Sequence, residues 1–347
     1  MDPMIGTALP PKARSRRLVT GAVFTLVASL TLAACGGGED EPEAEKSPDA
    51  QSTAAGSTLS GRWPLTGLPT KGAAPKRPVV VVKIDNTYSS NPQIGLGKAD
   101  LVVEELVEGG STRLAVFFYS QLPKVAGPVR SMRATDIGII EPAKAVLVAS
   151  GGAPRTVSRV RNSGIKTVTE GGTGYYRDNG RSAPYNLMMN LTELARSLKG
   201  GEVPDSYLPW GSEEDFPGGQ SARKIAATFS GGHTTNWQFQ GGSYVNLNSE
   251  TAKGDEYTPE TVLVLRVRVG DAGYKDPAGN PVPETVFRGK GQALVFHGGK
   301  VVRGTWTKSG LDSALQLQTR AGDLKIPAGK VWIELVPAAG GDVTFGR

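Results

Sequence analysis

The chain has 347 residues, a formal net charge of +6, a single cysteine (Cys35) and two histidines (His233 and His297). One cysteine excludes an internal disulfide and a thiolate metal site, and two distant histidines leave no His-rich zinc site. A Ser-His-Asp triad would have to use one of those two histidines, and no Gly-x-Ser-x-Gly elbow occurs anywhere.

The first segment reads as an export signal. Lys12, Arg14, Arg16 and Arg17 precede an apolar run from Leu18 to Leu32, which ends in Leu32-Ala33-Ala34-Cys35. A positive n-region, a short apolar core and small residues before a cysteine are the pattern of a lipoprotein signal peptide over residues 1–34. The thiol of Cys35 is then the group that receives a diacylglycerol, which anchors the mature chain to the outer face of the cell membrane. Ser15-Arg16-Arg17 resembles a twin-arginine signal, and the export route, twin-arginine or general secretory, stays open. Residues 35–60 follow with six acids and Lys46 as the one base. They hold almost no large apolar residue, so a disordered tether is expected, spanning about 25–30 Å if it behaves as a flexible coil. Residues 1–34 carry +3 and residues 35–60 carry −5, which leaves +8 for residues 61–347. No Lys/Arg run clusters in that body, which argues against a nucleic-acid partner.

Order should begin near Trp63-Pro64-Leu65. Pro78 to Ile84 is β-branched, short and bounded by Asp85-Asn86, the signature of a buried strand. Leu101–Val107 and Leu114–Ser120 flank Gly109-Gly110 and read as a hairpin, although Leu101–Leu106 also fits a helix. Short helices are expected over 134–141, 157–162 and 191–199, with a strand over 145–150. The first folded region, 61–230, is therefore a mixed α/β domain. From 231 to 340 nearly everything reads as strands separated by turns, with Gly241-Gly242 and Gly298-Gly299 at two hairpins. The fold class is α+β: a mixed α/β first domain followed by a smaller, mainly antiparallel β domain. Trp306 and Trp332 are expected in its core.

Val82-Lys83-Ile84-Asp85-Asn86, Ala99-Asp100-Leu101-Val102-Val103-Glu104, Val107-Glu108-Gly109-Gly110 and Gly127-Pro128-Val129-Arg130-Ser131-Met132-Arg133 resemble the YerB-like lipoprotein family. Gly291–Phe296, Gly299–Lys308 and Pro327–Ile333 extend the resemblance through the second half. The resemblance implies a two-domain extracytoplasmic lipoprotein and no settled activity. One departure is Tyr185, where many members carry a histidine, so a mechanism needing that imidazole does not transfer here.

The polar residues that sit at predicted strand ends and turns are the candidate ligand-binding set: Asp85, Asn86, Glu104, Glu108, Arg113, Arg130, Arg133, Arg177, Arg181 and Tyr185. Arg130 and Arg133, if they point the same way, form a guanidinium pair suited to a carboxylate or phosphate; the alternative is internal pairing with Asp85, Glu104 or Glu108. Tyr175, Tyr176 and Arg177 add an aromatic-plus-arginine stretch suited to sugars or a protein surface. Glu104 with Glu108, on one helical face, or Glu105 with Asp85 would be a glycosidase-like pair, but acids beside arginines stay ionised, which is wrong for a general acid. The Gly-rich loops 151–155 and 170–177 fit no nucleotide fingerprint, and no cofactor or metal is implied. The leading expectation is a non-enzymatic lipoprotein that binds an anionic wall polymer or an envelope protein. A wall-glycan-processing enzyme using first-domain carboxylates, or a solute-capture lipoprotein, are the alternatives.

Overall fold

The computed structural model describes residues 61–70, 72 and 75–347, all within the compact unit Ala55–Arg347. The expected signal segment 1–34, the expected lipidation site Cys35 and the acidic stretch 36–60 lie outside the described residues.

Val80–Asp85 forms a strand with every residue buried, and it pairs antiparallel with Thr112–Phe118 and parallel with Val146–Val148. A strand covered on both faces needs apolar residues at consecutive positions, not alternate ones, and Val79 to Val82 supply them. Leu101–Leu106 is a strand and not a helix: it pairs with Thr112–Phe118 on one side and with Val331–Pro337 on the other. Glu108–Gly110 makes the turn of that hairpin, with Gly109 at φ 70° and Gly110 at φ 74°, a region open to glycine at little cost. The expected helices form over Asp136–Ile140, Pro154–Asn162 and Leu191–Ser197. Asn190 caps the last of them by accepting from the Glu193 amide.

The later region is largely strand. Gly289–His297 and Lys300–Lys308 form the hairpin expected at Gly298-Gly299, and His233–Gln240 and Ser243–Asn246 form the one at Gly241-Gly242. Trp306 and Trp332 are buried as expected, and Trp237 joins them.

The two halves are not laid end to end. Val331–Pro337 runs parallel to both Thr261–Lys275 and Leu101–Leu106 and lies between them, so one sheet continues from the first half into the second. One face of this sheet is covered by the first two helices and by Leu65, Tyr207 and Leu208. The other face is covered by a small antiparallel sheet of Ser243–Asn246, His233–Gln240, Lys224–Ser230 and Asp342–Gly346. Consecutive side chains of Leu101–Leu106 therefore enter two different cores. That alternation places Glu104 and Glu105 on opposite sides of the sheet.

Candidate functional site

Charged residues interrupt the apolar strands at one end of the sheet, and they form two clusters back to back. On the helix-covered face, Asp85 and Glu105 are both cross-strand partners of Arg113, so the three share a row. Lys83 sits beside them with its Nζ 2.6 Å from Glu105 Oε1 and 2.8 Å from Asp136 Oδ1, all three side chains wholly buried. Burial alone would lower the Lys83 pKa, but the carboxylates of Asp136 and Glu105 raise it, so the ammonium persists.

Further along the row the guanidiniums gather. Glu108 accepts from Arg133 Nε at 2.8 Å, from Arg133 Nη2, and from Arg113 Nη2 at 2.9 Å. Burial opposes ionisation of Glu108, yet the Arg133 hydrogen bond and the charges of Arg113 and Arg133 hold its pKa below the usual value. Burial and the nearby Arg133 pull Arg113 down to about 10, so it too is charged at neutral pH. Arg130 Nε lies 2.9 Å from Asp85 Oδ2 at an angle outside hydrogen-bond geometry. Its guanidinium stands 5.1 Å over the Tyr185 ring, and no side-chain nitrogen of Arg130 donates a hydrogen bond to protein among the described residues, while its backbone amide donates to the Lys83 carbonyl at 2.9 Å. Asp85 is held in place by the amide and hydroxyl of Thr87.

On the opposite face Glu104 lies at the centre of a second cluster. Its Oε1 accepts from Asn86 Nδ2 (2.9 Å), Thr112 Oγ1 (2.7 Å) and His233 Nε2 (2.7 Å), while Oε2 accepts from Thr235 Oγ1 (3.0 Å) and Trp332 Nε1 (3.2 Å). Burial opposes its charge, but the hydrogen bond and charge of His233 and the Thr112 hydroxyl win, and its pKa is lowered. A carboxylate only accepts, so the His233 proton on that side resides on Nε2. Glu334, the in-register neighbour of Glu104, accepts from Trp237 Nε1 at 2.8 Å. Its pKa is raised well above the ordinary value by burial and by the facing Glu104 carboxylate, so it holds a proton. Among the described residues its Oε2 has no hydrogen bond of good geometry, and that oxygen is the natural seat of the Glu334 proton. Above the cluster a polar cleft of about 240 Å³ opens, lined by Asn86, Thr87, Tyr88, Ser111, His233 and Glu250 among others.

The sequence-derived candidates thus fall into three places. Asp85, Glu108, Arg113, Arg130, Arg133 and Tyr185 converge on the helix-covered face. Asn86 and Glu104 belong to the cluster behind it. Arg177 pairs with Glu170 and Asn186, and Arg181 with Asp178 and the carbonyls of Ser90 and Pro92, both near the surface. Glu104 and Glu108 share no face, because their segment is a strand followed by a turn and not a helix. Tyr175 is not a stacking platform: its hydroxyl donates to the carbonyls of Ala149 (2.7 Å) and Val168 (3.0 Å). The ligand-binding set read from the sequence left out Lys83, Asp136, His233 and Glu334, and Glu105 was weighed there only as a partner of Asp85. The available signal was a lone charged residue inside a short apolar run, as in Val331-Trp332-Ile333-Glu334-Leu335.

The fold is that of a known solved protein. The crystal structure of the YerB protein from Bacillus subtilis matches with a TM-score of 0.68 at 21% identity, over 82% of this chain and 99% of that one. The sequence goes further. It matches the family described as "Protein of unknown function (DUF3048)", the N-terminal domain over residues 65–203 and the C-terminal domain over residues 225–333, and the chain belongs to that family. The "Putative lipoprotein YerB" of Bacillus subtilis (strain 168) is 25% identical over 289 residues, 79% of this chain and 86% of that protein.

Proposed function

We propose that the protein is a lipid-anchored, non-enzymatic binding protein on the outer face of the cell membrane, and that it holds an anionic envelope polymer against Arg130. The positive n-region, the apolar run and Cys35 support the anchor, as does the description of its relative as a lipoprotein.

The observation that carries the binding reading is the state of Arg130. Arg113 and Arg133 have Glu108, but Arg130 is partly exposed, stacked on Tyr185, and keeps its terminal nitrogens without protein acceptors among the described residues. A planar guanidinium fixed by an aromatic ring and a carboxylate is pre-organised for two parallel hydrogen bonds to a phosphate or carboxylate. The neighbouring positive charges of Arg113 and Arg133 favour the same ligand. The carboxylates that a hydrolase would need are otherwise engaged: Asp85 and Glu108 face arginines, and Glu104 is wholly buried.

The mature lipoprotein in detergent should bind a poly(glycerol phosphate) polymer in calorimetry, with affinity that falls as salt rises. Arg130→Ala should weaken binding by about 2 kcal/mol, roughly thirtyfold. Equal affinity of wild type and Arg130→Ala would remove the support for this reading.

A further inference from the structure

The cleft above His233 differs in chemistry from the arginine cluster. Its walls come from both halves of the family fold: Asn86, Thr87, Tyr88 and Ser111 from the first, and Gly232, His233, Thr235, Asn246, Asn248 and Glu250 from the second. Among the described residues no lysine or arginine lines it, so it offers little to a phosphate or a polyanion. None of those described residues brings an aliphatic side chain either, so a lipid tail or an apolar ligand gains little there. Amides, hydroxyls, one imidazole and one carboxylate remain. At the lining stands Tyr88, an aromatic ring 83% exposed in a protein with few large apolar groups on its surface. A volume of about 240 Å³ holds about eight waters, room for one ring of a small polar ligand and too little for a dinucleotide or a flavin.

His233 decides which polar ligand fits. Its Nε2 is committed to Glu104, and Nδ1 has no protein partner among the described residues. A neutral ring presents Nδ1 as an acceptor, and a protonated ring presents it as a donor. A hydroxyl serves either state, whereas a carbonyl or an amide N–H serves only one. Two further features hold the ring in place: Thr112 Oγ1 at 3.1 Å from Nε2, and the edge of Phe229 with ring centroids 5.9 Å apart. An exposed aromatic face beside amides, a carboxylate and a fixed imidazole matches a sugar ring, with its apolar C–H face and its rim of hydroxyls.

We propose that this cleft is a second binding site, for a neutral polyhydroxylated ligand of the saccharide class, in which Tyr88 stacks on the ring and His233 reads a hydroxyl. It is independent of the Arg130 site, and the two would let one protein grip both the charged and the neutral parts of an envelope polymer.

The test uses the mature lipoprotein in detergent and calorimetric titration with tetrasaccharides of N-acetylglucosamine and of glucose, up to millimolar concentration. At least one should bind, with little dependence on salt. Tyr88→Ala, at an exposed position, should weaken binding about fivefold or more while leaving the melting temperature unchanged. His233→Gln should weaken it as well, and Arg130→Ala should leave it intact. Absence of binding by both sugars, or binding indifferent to Tyr88→Ala, overturns the proposal. Loss of sugar binding in Arg130→Ala overturns it too, because the sugar would then occupy the arginine site. Failure of the phosphate polymer to bind bears on the Arg130 reading alone.

Discussion

Replacing Glu334 with glutamine should stabilise the protein at neutral pH, and the gain should grow with pH. Glu334 is wholly buried, faces the ionised Glu104 from the paired strand, and has its pKa raised well above 4.5. In the unfolded chain it ionises at its ordinary value. Between that value and the native one, unfolding releases a proton, so the native state loses about 1.4 kcal/mol of stability with each unit of pH. The contribution of Glu334 is thus favourable in acid and fades as pH rises. Glutamine has the shape of the protonated acid. Its Oε1 can accept from Trp237 Nε1, as Glu334 does at 2.8 Å, and its amide can donate to Glu104. It does not titrate. Guanidinium unfolding of wild type and Glu334→Gln at pH 4, 5, 6 and 7, followed by tryptophan fluorescence, measures the difference. The two should be nearly equal at pH 4, and the variant should gain about 1.4 kcal/mol per pH unit above pH 5, up to the native pKa. A difference independent of pH, or a variant that loses ground as pH rises, would refute a protonated Glu334.

Three further outcomes follow from the same clusters. Lys83→Met strands Glu105 and Asp136 without a counter-charge and should cost about 3–5 kcal/mol in chemical denaturation, most of it recovered when both acids become leucine. The His233 imidazole should titrate above 6.5 by NMR, because burial is outweighed by the Glu104 hydrogen bond and charge, with Glu250 adding to them. Glu104→Gln should bring that value down; the stability the pair provides is present below pH 6.5 and lost as pH rises through the native value. Gly291→Ala should destabilise by about 1–3 kcal/mol in thermal melts. A Cβ there meets the Arg266 carbonyl and lies 2.5 Å from Trp306 Nε1, on a strand where Gly291 is the direct partner of Trp306.

Much of the architecture was legible in the chain because it is local. Val79 to Val82 is β-branched and unbroken, which suits only a strand covered on both faces. Gly109-Gly110, Gly241-Gly242 and Gly298-Gly299 mark hairpins through backbone freedom that a neighbouring strand cannot alter. The ambiguity at Leu101–Leu106 was resolved by tertiary pairing: a six-residue segment with Leu101, Val102, Val103 and Leu106 apolar fits a helix or a strand, and partners on both sides select the strand.

The same logic divides the sites. The sequence by itself marked the strand ends and turns where Asp85, Glu108, Arg113 and Arg130 stand, since a charge that closes an apolar run marks where the strand leaves the core. It also carries the pattern read as an export signal ending at Cys35, whose meaning depends on order along the chain. Only the tertiary structure decided which charges meet. Glu104 and Glu105 are adjacent in sequence, yet the two-residue period of a strand sends one to Lys83 and the other to His233. Glu334 reaches Glu104 only because Val331–Pro337 crosses back to lie beside Leu101–Leu106, a pairing of 230 residues' separation in register that no local pattern encodes. The cleft over His233 exists for the same reason: its two walls are brought together by long-range strand pairing.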